Sequence, residues 1–220
     1  MARILITGTN QGIGLEMAKQ YAQRGDAVIA TCRSASDALH AAGCEIVEDI
    51  DVTSADSVAA LVRVVGERSI DVLINNAGIL TGESFDDLDF GRMRTQYEVN
   101  ALGPLRVTHA LNENLGDGAK VGIVTSRVGS MDDNSSGGMY GYRMSKAAAN
   151  MAGVNLSHDL RPRGIAVALL HPGYVRTNMT GGNGLTDAAT AAAGLIECMD
   201  ALTLDTTGTF WHAEGYELPW

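Results

Sequence analysis

The chain has 220 residues, 45% hydrophobic and 19% charged, with 16 Lys and Arg against 26 Asp and Glu for a net charge of −10. So much apolar content excludes a disordered chain, no run of about 18 apolar residues is present to cross a bilayer, and the acidic balance argues against a nucleic-acid partner. Cys32, Cys44 and Cys198 are odd in number and lack C-x-x-C spacing, which speaks against both a disulfide framework and a cysteine zinc site.

The opening Met1-Ala2-Arg3-Ile4-Leu5-Ile6 is too short an apolar run for a secretory leader, so a cytoplasmic protein is expected. Short apolar runs bounded by turn residues then predict buried strands at Ile4–Thr7, Ala27–Thr31, Glu45–Ile50, Val72–Asn75, Val121–Thr125 and Ile165–Leu170, with a last strand near Thr209–Trp211. Helical patterns fall between them at Leu15–Arg24, Ser34–Ala42, Ser54–Glu67, a long stretch from Phe85 to Leu115, and Tyr140–Leu160. Strands alternating with helices predict parallel β-α-β units: one Rossmann-type, doubly wound α/β sheet with helices on both faces, in a single domain over residues 1–220. Ligands of such sheets bind beyond the carboxyl ends of the strands.

The first such turn reads Thr7-Gly8-Thr9-Asn10-Gln11-Gly12-Ile13-Gly14, directly between strand and helix. Glycines let a backbone approach a pyrophosphate closely, and the following helix offers it free N–H groups. The spacing is not G-x-G-x-x-G, so a plain tight turn is the competing reading. The second strand ends without the acid that would take a ribose 2′-hydroxyl; Arg33 stands there instead, suited to a 2′-phosphate or simply solvated at a helix start.

Tyr142-Arg143-Met144-Ser145-Lys146 puts a phenol and an ammonium on one helix face, where the positive charge should lower the Tyr pKa from about 10. Ser126 ends the fifth strand, Asn75-Asn76-Ala77-Gly78 follows the fourth, and Asn100 lies within the long helical stretch. Taken singly, each has a plain reading: an exposed Tyr with a snorkelling Lys, a strand terminator, a helix kink.

As an ordered set, T-G-x-x-x-G-x-G, N-N-A-G, the helix Asn, the strand-end Ser, Y-x-x-x-K and Pro172-Gly173 strongly resemble the short-chain dehydrogenase/reductase superfamily over nearly the whole chain. Ser126-Arg127-Val128-Gly129-Ser130, the run Gly137 to Arg143 and the ending Leu218-Pro219-Trp220 look like its branch of C-factor and sniffer carbonyl reductases. The resemblance implies an NADP(H)-dependent enzyme that interconverts a small apolar carbonyl compound and its alcohol. Tyr142 would be the acid/base, Ser126 would orient the carbonyl oxygen, Lys146 would lower the Tyr pKa and bind the nicotinamide ribose, and Asn100 would hold a water through its backbone. The cofactor would lie against Gly8, Asn10, Gln11, Gly12, Ile13, Gly14, Arg33, Asp51, Val52, Asn76, Ala77, Gly78, Tyr142, Lys146, Pro172, Gly173, Val175 and Thr177.

The gap from Ser126 to Tyr142 is longer than in many relatives, and the segment after Thr177 is short, so an open pocket lined by Val128, Met131, Tyr174 and Met179 is expected. His171 lacks the paired spacing of a metal ligand and reads as structural. The small residues of Tyr140–Leu160 allow close helix approach, inside one domain or, as the resemblance implies, across a homodimer interface. A dinucleotide-binding regulatory protein on the same fold is the alternative; a serine hydrolase is disfavoured because no G-x-S-x-G surrounds Ser126.

Overall fold

Strand β1 (Arg3–Thr7) is an inner strand of a seven-stranded parallel sheet in a computed structural model that describes all residues, 1–220. On one side lie β2 (Ala27–Thr31) and β3 (Glu45–Val47); on the other lie β4 (Ile70–Asn75), β5 (Leu115–Val124) and β6 (Ala166–His171). Short strands β7 (Val175–Arg176) and β8 (Thr186–Asp187) pair apart from the sheet, and β9 (Phe210–His212) closes its far edge beside β6. The register of Ile4 against Val28 and Val72 brings the carboxyl ends of β1, β2 and β4 level, which is where the glycine turn begins.

Successive strand residues point to opposite faces, and Ile4, Leu5 and Ile6 are all fully buried, so both faces must be covered. One layer is α1 (Gly12–Gln23), whose Met17 and Tyr21 pack with Ile4 and Ile6; α2 (Asp37–His40) is a single turn beside it. The other layer holds α3 (Ala55–Val65), α4 (Phe90–Tyr97), α5 (Gly103–Ala110) and α6 (Tyr140–Leu160), with Leu61, Val107 and Leu156 against Leu5, Leu73 and Val167. Helix α7 (Ala188–Ala201) returns to the first layer, placing Leu195 and Met199 in the α1 core.

Two of these helices depart from the sequence expectation. The stretch Phe85–Leu115 is not one helix. It starts only at the Asp89 cap, winds as a π-helix over Glu98–Leu102, restarts with Pro104 in the first turn of α5, and gives Leu115 to β5. Proline lacks the N–H needed to continue the ladder, which is why the register changes there. Helix α7 has no counterpart among the expected elements, although Asp187 caps it by accepting from Thr190 N at 2.8 Å and its first turns are almost all alanine.

After β9 the chain doubles back. Leu218 N donates to the Phe210 carbonyl and His212 N to that of Tyr216, each at 2.8 Å, and the Trp220 ring stacks on Phe210 at 5.4 Å. The Trp220 carbonyl oxygen in turn accepts from the Met131 and Asp132 amides at 2.9 and 2.8 Å, tying the tail to the loop after β5.

Candidate active site

A cleft of about 660 Å³ opens at the carboxyl ends of β1, β2 and β4, within the range of small-molecule and cofactor sites. Its floor is the glycine turn. Gly8 has φ +72°, and a Cβ there would stand 2.7 Å from Ala77 Cα; one on Gly14 would stand 2.4 Å from both the Gly8 carbonyl and Asn76 Nδ2. Glycine is thus dictated by close backbone approach, and it leaves a cradle without side chains in front of α1. No side chain caps that helix at Gln11, so its first N–H groups stay free for an anion, while the buried Asn10 Oδ1 has no partner. Asn76 holds the cradle in shape by donating from Nδ2 to the carbonyls of Thr7 and Gly8, both at 3.0 Å.

At the β2 end the rim carries exposed Arg33 beside Asp51 and Val52. The Thr53 amide and hydroxyl hold the Asp51 carboxyl below the usual carboxylate range, with Arg33 adding to the effect. A dinucleotide fits these residues: an anion-receptive helix end, a side-chain-free turn, and a cation at the distal rim.

The catalytic candidates gather at the other end. A Cβ on Gly78, which lines the cleft, would lie 3.3 Å from Asn100 Oδ1 and 3.6 Å from Lys146 Nζ, so this glycine is where the cradle meets Asn100 and Lys146. Lys146 is buried, donates to the Val124 carbonyl at 2.9 Å, and lies 5.7 Å from the Tyr142 ring centroid. Ser126 caps the turn after β5 and hydrogen-bonds with Tyr142. Asn100 occupies the π-helical stretch, a device that recurs at functional sites, and reaches Ser145 on α6.

The expected drop in the Tyr142 pKa is not what this arrangement yields. Burial pushes the phenol up to about 12 against the Ser126 hydrogen bond, and burial alone brings Lys146 down to about 8. Both groups are withdrawn from water together, and desolvation disfavours each charged form.

Every residue expected along the glycine turn lines the cleft, from Gly8 through Asn10, Gln11, Gly12 and Ile13 to Gly14, as do Arg33, Asp51, Val52, Asn76, Ala77, Gly78 and Thr177. Pro172, Gly173, Val175, Tyr142 and Lys146 do not; the first three form the turn that delivers Thr177, whose Cγ2 stands 3.4 Å from where a Gly12 Cβ would be, and the last two lie beyond Gly78. Of the expected pocket residues, Met179 lines the dinucleotide cleft, whereas Val128, Met131 and Tyr174 lie outside it, with Met131 79% exposed. Sequence reasoning missed Asn178, whose Nδ2 donates to Gln11 Oε1 at 2.6 Å and bridges the turn to the β7 segment. It also missed Cys32, Ser34, Ile50, Thr53 and Ile79 on the cleft wall, whose signal was only their place after the strand ends, and Thr95 and Val99, which α4 and the π-helical stretch bring to the wall.

A family model described as short chain dehydrogenase matches residues 2–187. The chain is 45% identical, over 100% of both sequences, to 1-hydroxy-2-glutathionyl-2-methyl-3-butene dehydrogenase of a Rhodococcus species. It is 46% identical to C-signal of Myxococcus xanthus over 69% of this chain and 93% of that protein. The structure of NADPH-bound carbonyl reductase from chicken fatty liver superposes with a TM-score of 0.91 at 28% identity, covering 100% of this chain and 99% of the other.

Proposed function

Since the chain belongs to the short-chain dehydrogenase family of oxidoreductases, we propose that it interconverts a small apolar carbonyl compound and its alcohol with NADP(H), using Tyr142 as acid and base. The observation that carries this reading is the junction at Gly78, where the dinucleotide cradle meets buried Lys146, with Tyr142 one helical turn away and in hydrogen-bond contact with Ser126.

A bound nicotinamide supplies or accepts the hydride. Tyr142, with its pKa near 12, is protonated at neutral pH and so stands ready to give its proton to the carbonyl oxygen as charge develops there. Ser126 Oγ orients that oxygen. Lys146, near 8, is mostly an ammonium at neutral pH, and its charge stabilises the phenolate left behind; in the oxidative direction the same phenolate takes the proton from the alcohol. The free helix end at Gly12 holds the pyrophosphate, and Arg33 takes a ribose 2′-phosphate. Pro172, Gly173 and Val175 place Thr177 toward the carboxamide end, and Val128, Met131 and Tyr174 border the substrate.

A homodimer is part of this reading, supported by Met144 and Met151 standing 59% and 62% exposed on α6; so is a cytoplasmic location. The name of the Rhodococcus relative makes an alcohol carrying a glutathionyl thioether the first larger substrate to try. A regulatory role draws support from the M. xanthus relative, which aligns over less of the chain. The test is NADPH oxidation with a panel of aldehydes, ketones and quinones. Turnover abolished in Tyr142→Phe, with NADPH binding retained, is expected; unchanged turnover in that variant overturns the mechanism. Nucleotide binding with no turnover on any panel member, and a protein partner whose affinity follows NADPH, favours the regulatory reading.

A further inference from the structure

Glu83 is a buried carboxylate, 3% exposed, in the segment that runs from Gly78 toward α4. Its carboxylate partners are neutral: Thr81 Oγ1 donates to Oε1 at 2.6 Å, and Gln96 Nε2 lies 3.2 Å from each carboxylate oxygen. Gln96 is itself fully buried on α4 and accepts from Thr81 N at 3.0 Å, so the three side chains close into one unit. A buried charge held only by neutral donors is costly unless something positive faces it.

The start of α6 faces it directly, with the Arg92 guanidinium of α4 acting on it from farther off. Met139 N donates to the Glu83 carbonyl at 2.9 Å, and no side chain caps the helix at Met139. A Cβ on Gly141 would come within 3.0 Å of Glu83 Oε2 and 2.3 Å of Gln96 Nε2, so the first turn of α6 rests directly on the unit, and a larger residue there would have to push these side chains aside. The carboxylate thus meets the positive end of a 21-residue helix, while the Glu83 backbone fixes where that helix begins. Tyr142 follows Gly141 at once, and Asn100 anchors Ile79 in the same segment.

We propose that Glu83 is a positioning residue: with Thr81 and Gln96 it sets the first turn of α6 and thereby the place of the Tyr142 hydroxyl. The proposal rests on the acid/base reading of Tyr142 given above. It does not involve the dinucleotide cleft, since neither Glu83 nor Gln96 lines it.

The test compares Glu83→Gln, the exchange variant Glu83→Gln/Gln96→Glu and Tyr142→Phe for NADPH binding by fluorescence and for kcat and KM with the best carbonyl of the panel. The exchange keeps the charge and the hydrogen-bonding types while swapping their owners. Glu83→Gln is expected to lower kcat at least about tenfold with NADPH affinity within about twofold, and the exchange variant to recover kcat to within about threefold. A parental kcat in Glu83→Gln overturns the proposal, as does an exchange variant that folds and binds NADPH but is no faster than the single one. Should Glu83→Gln fail to fold, the exchange variant decides alone: near-parental kcat supports the proposal, and a kcat loss or failure to fold overturns it. An active Tyr142→Phe removes the underlying reading, whereas an inactive Tyr142→Phe beside a parental Glu83→Gln removes only the role of Glu83.

Discussion

Asn100 Nδ2 donates to Ser145 Oγ at 3.0 Å, joining the π-helical stretch to α6 at the residue before Lys146. The same carboxamide brackets Ile79, accepting from its N–H and donating to its carbonyl, both at 2.9 Å, and Ser145 passes the link on to the Tyr142 carbonyl at 2.8 Å. Asn100→Ala removes three partners at once and leaves buried polar groups unpaired. We expect about 3 kcal/mol of lost stability in urea unfolding, and a fall in kcat larger than any change in NADPH affinity.

Arg33 supplies the positive charge expected to meet a 2′-phosphate, and no acidic residue ends β2. Arg33→Ala should weaken NADPH by about tenfold while changing NADH little, which corresponds to about 1.4 kcal/mol and is measured by nucleotide fluorescence. Equal losses for both nucleotides would argue against this role.

Gly14→Ala tests the cradle. Its Cβ would collide at 2.4 Å with the Gly8 carbonyl, a backbone atom that cannot step aside without moving the turn. Both nucleotides should then bind at least about tenfold more weakly, in contrast to the selective effect at Arg33, and the melting temperature should fall.

His171 is 8% exposed, with its ring 5.0 Å from His212 in an edge arrangement and its Nδ1 unpartnered. Burial, then the positive side of His212 and Arg127, brings it down to about 3 from an ordinary 6.5. Between those two values the unfolded chain takes up a proton that the folded chain refuses, so stability should fall as pH is lowered from about 6.5 to about 3. Summed over the whole span down to about pH 3, the effect is on the order of 5 kcal/mol. His171→Asn should flatten that slope relative to the parent in unfolding measured across this range.

Much of the sheet was legible because a strand covered on both faces must be apolar throughout: Ala27–Thr31 is predicted to the residue, and the start of α6 at Tyr140 likewise. The glycine turn was legible because only glycine tolerates backbone contact at Gly8 and Gly14. Periodicity could not show that Pro104 and the π-helical stretch divide Phe85–Leu115, since apolar spacing survives such a break. Helix α7 escaped because a run of small residues carries a weak apolar stripe, leaving only the Asp187 cap as a cue. The shifts of Tyr142 and Lys146 were opposite in weight to the sequence argument: helical spacing gives their proximity, whereas desolvation depends on residues far along the chain. For the same reason nothing local in the sequence marks Glu83; its burial is set by Gln96 and Gly141, 13 and 58 positions away.

The doubled-back tail over Phe210–His212 has a consequence for self-association. Its Leu218 and Tyr216 backbones engage main-chain groups of the outermost strand, and at the opposite border Glu45–Val47 is only three residues long with Glu45 clasped by Arg68. Neither border offers a long, bare row of amides and carbonyls for a foreign strand to zip onto. The fold is in this way guarded against edge-on fibre growth, and contact between copies is left to the helical layers.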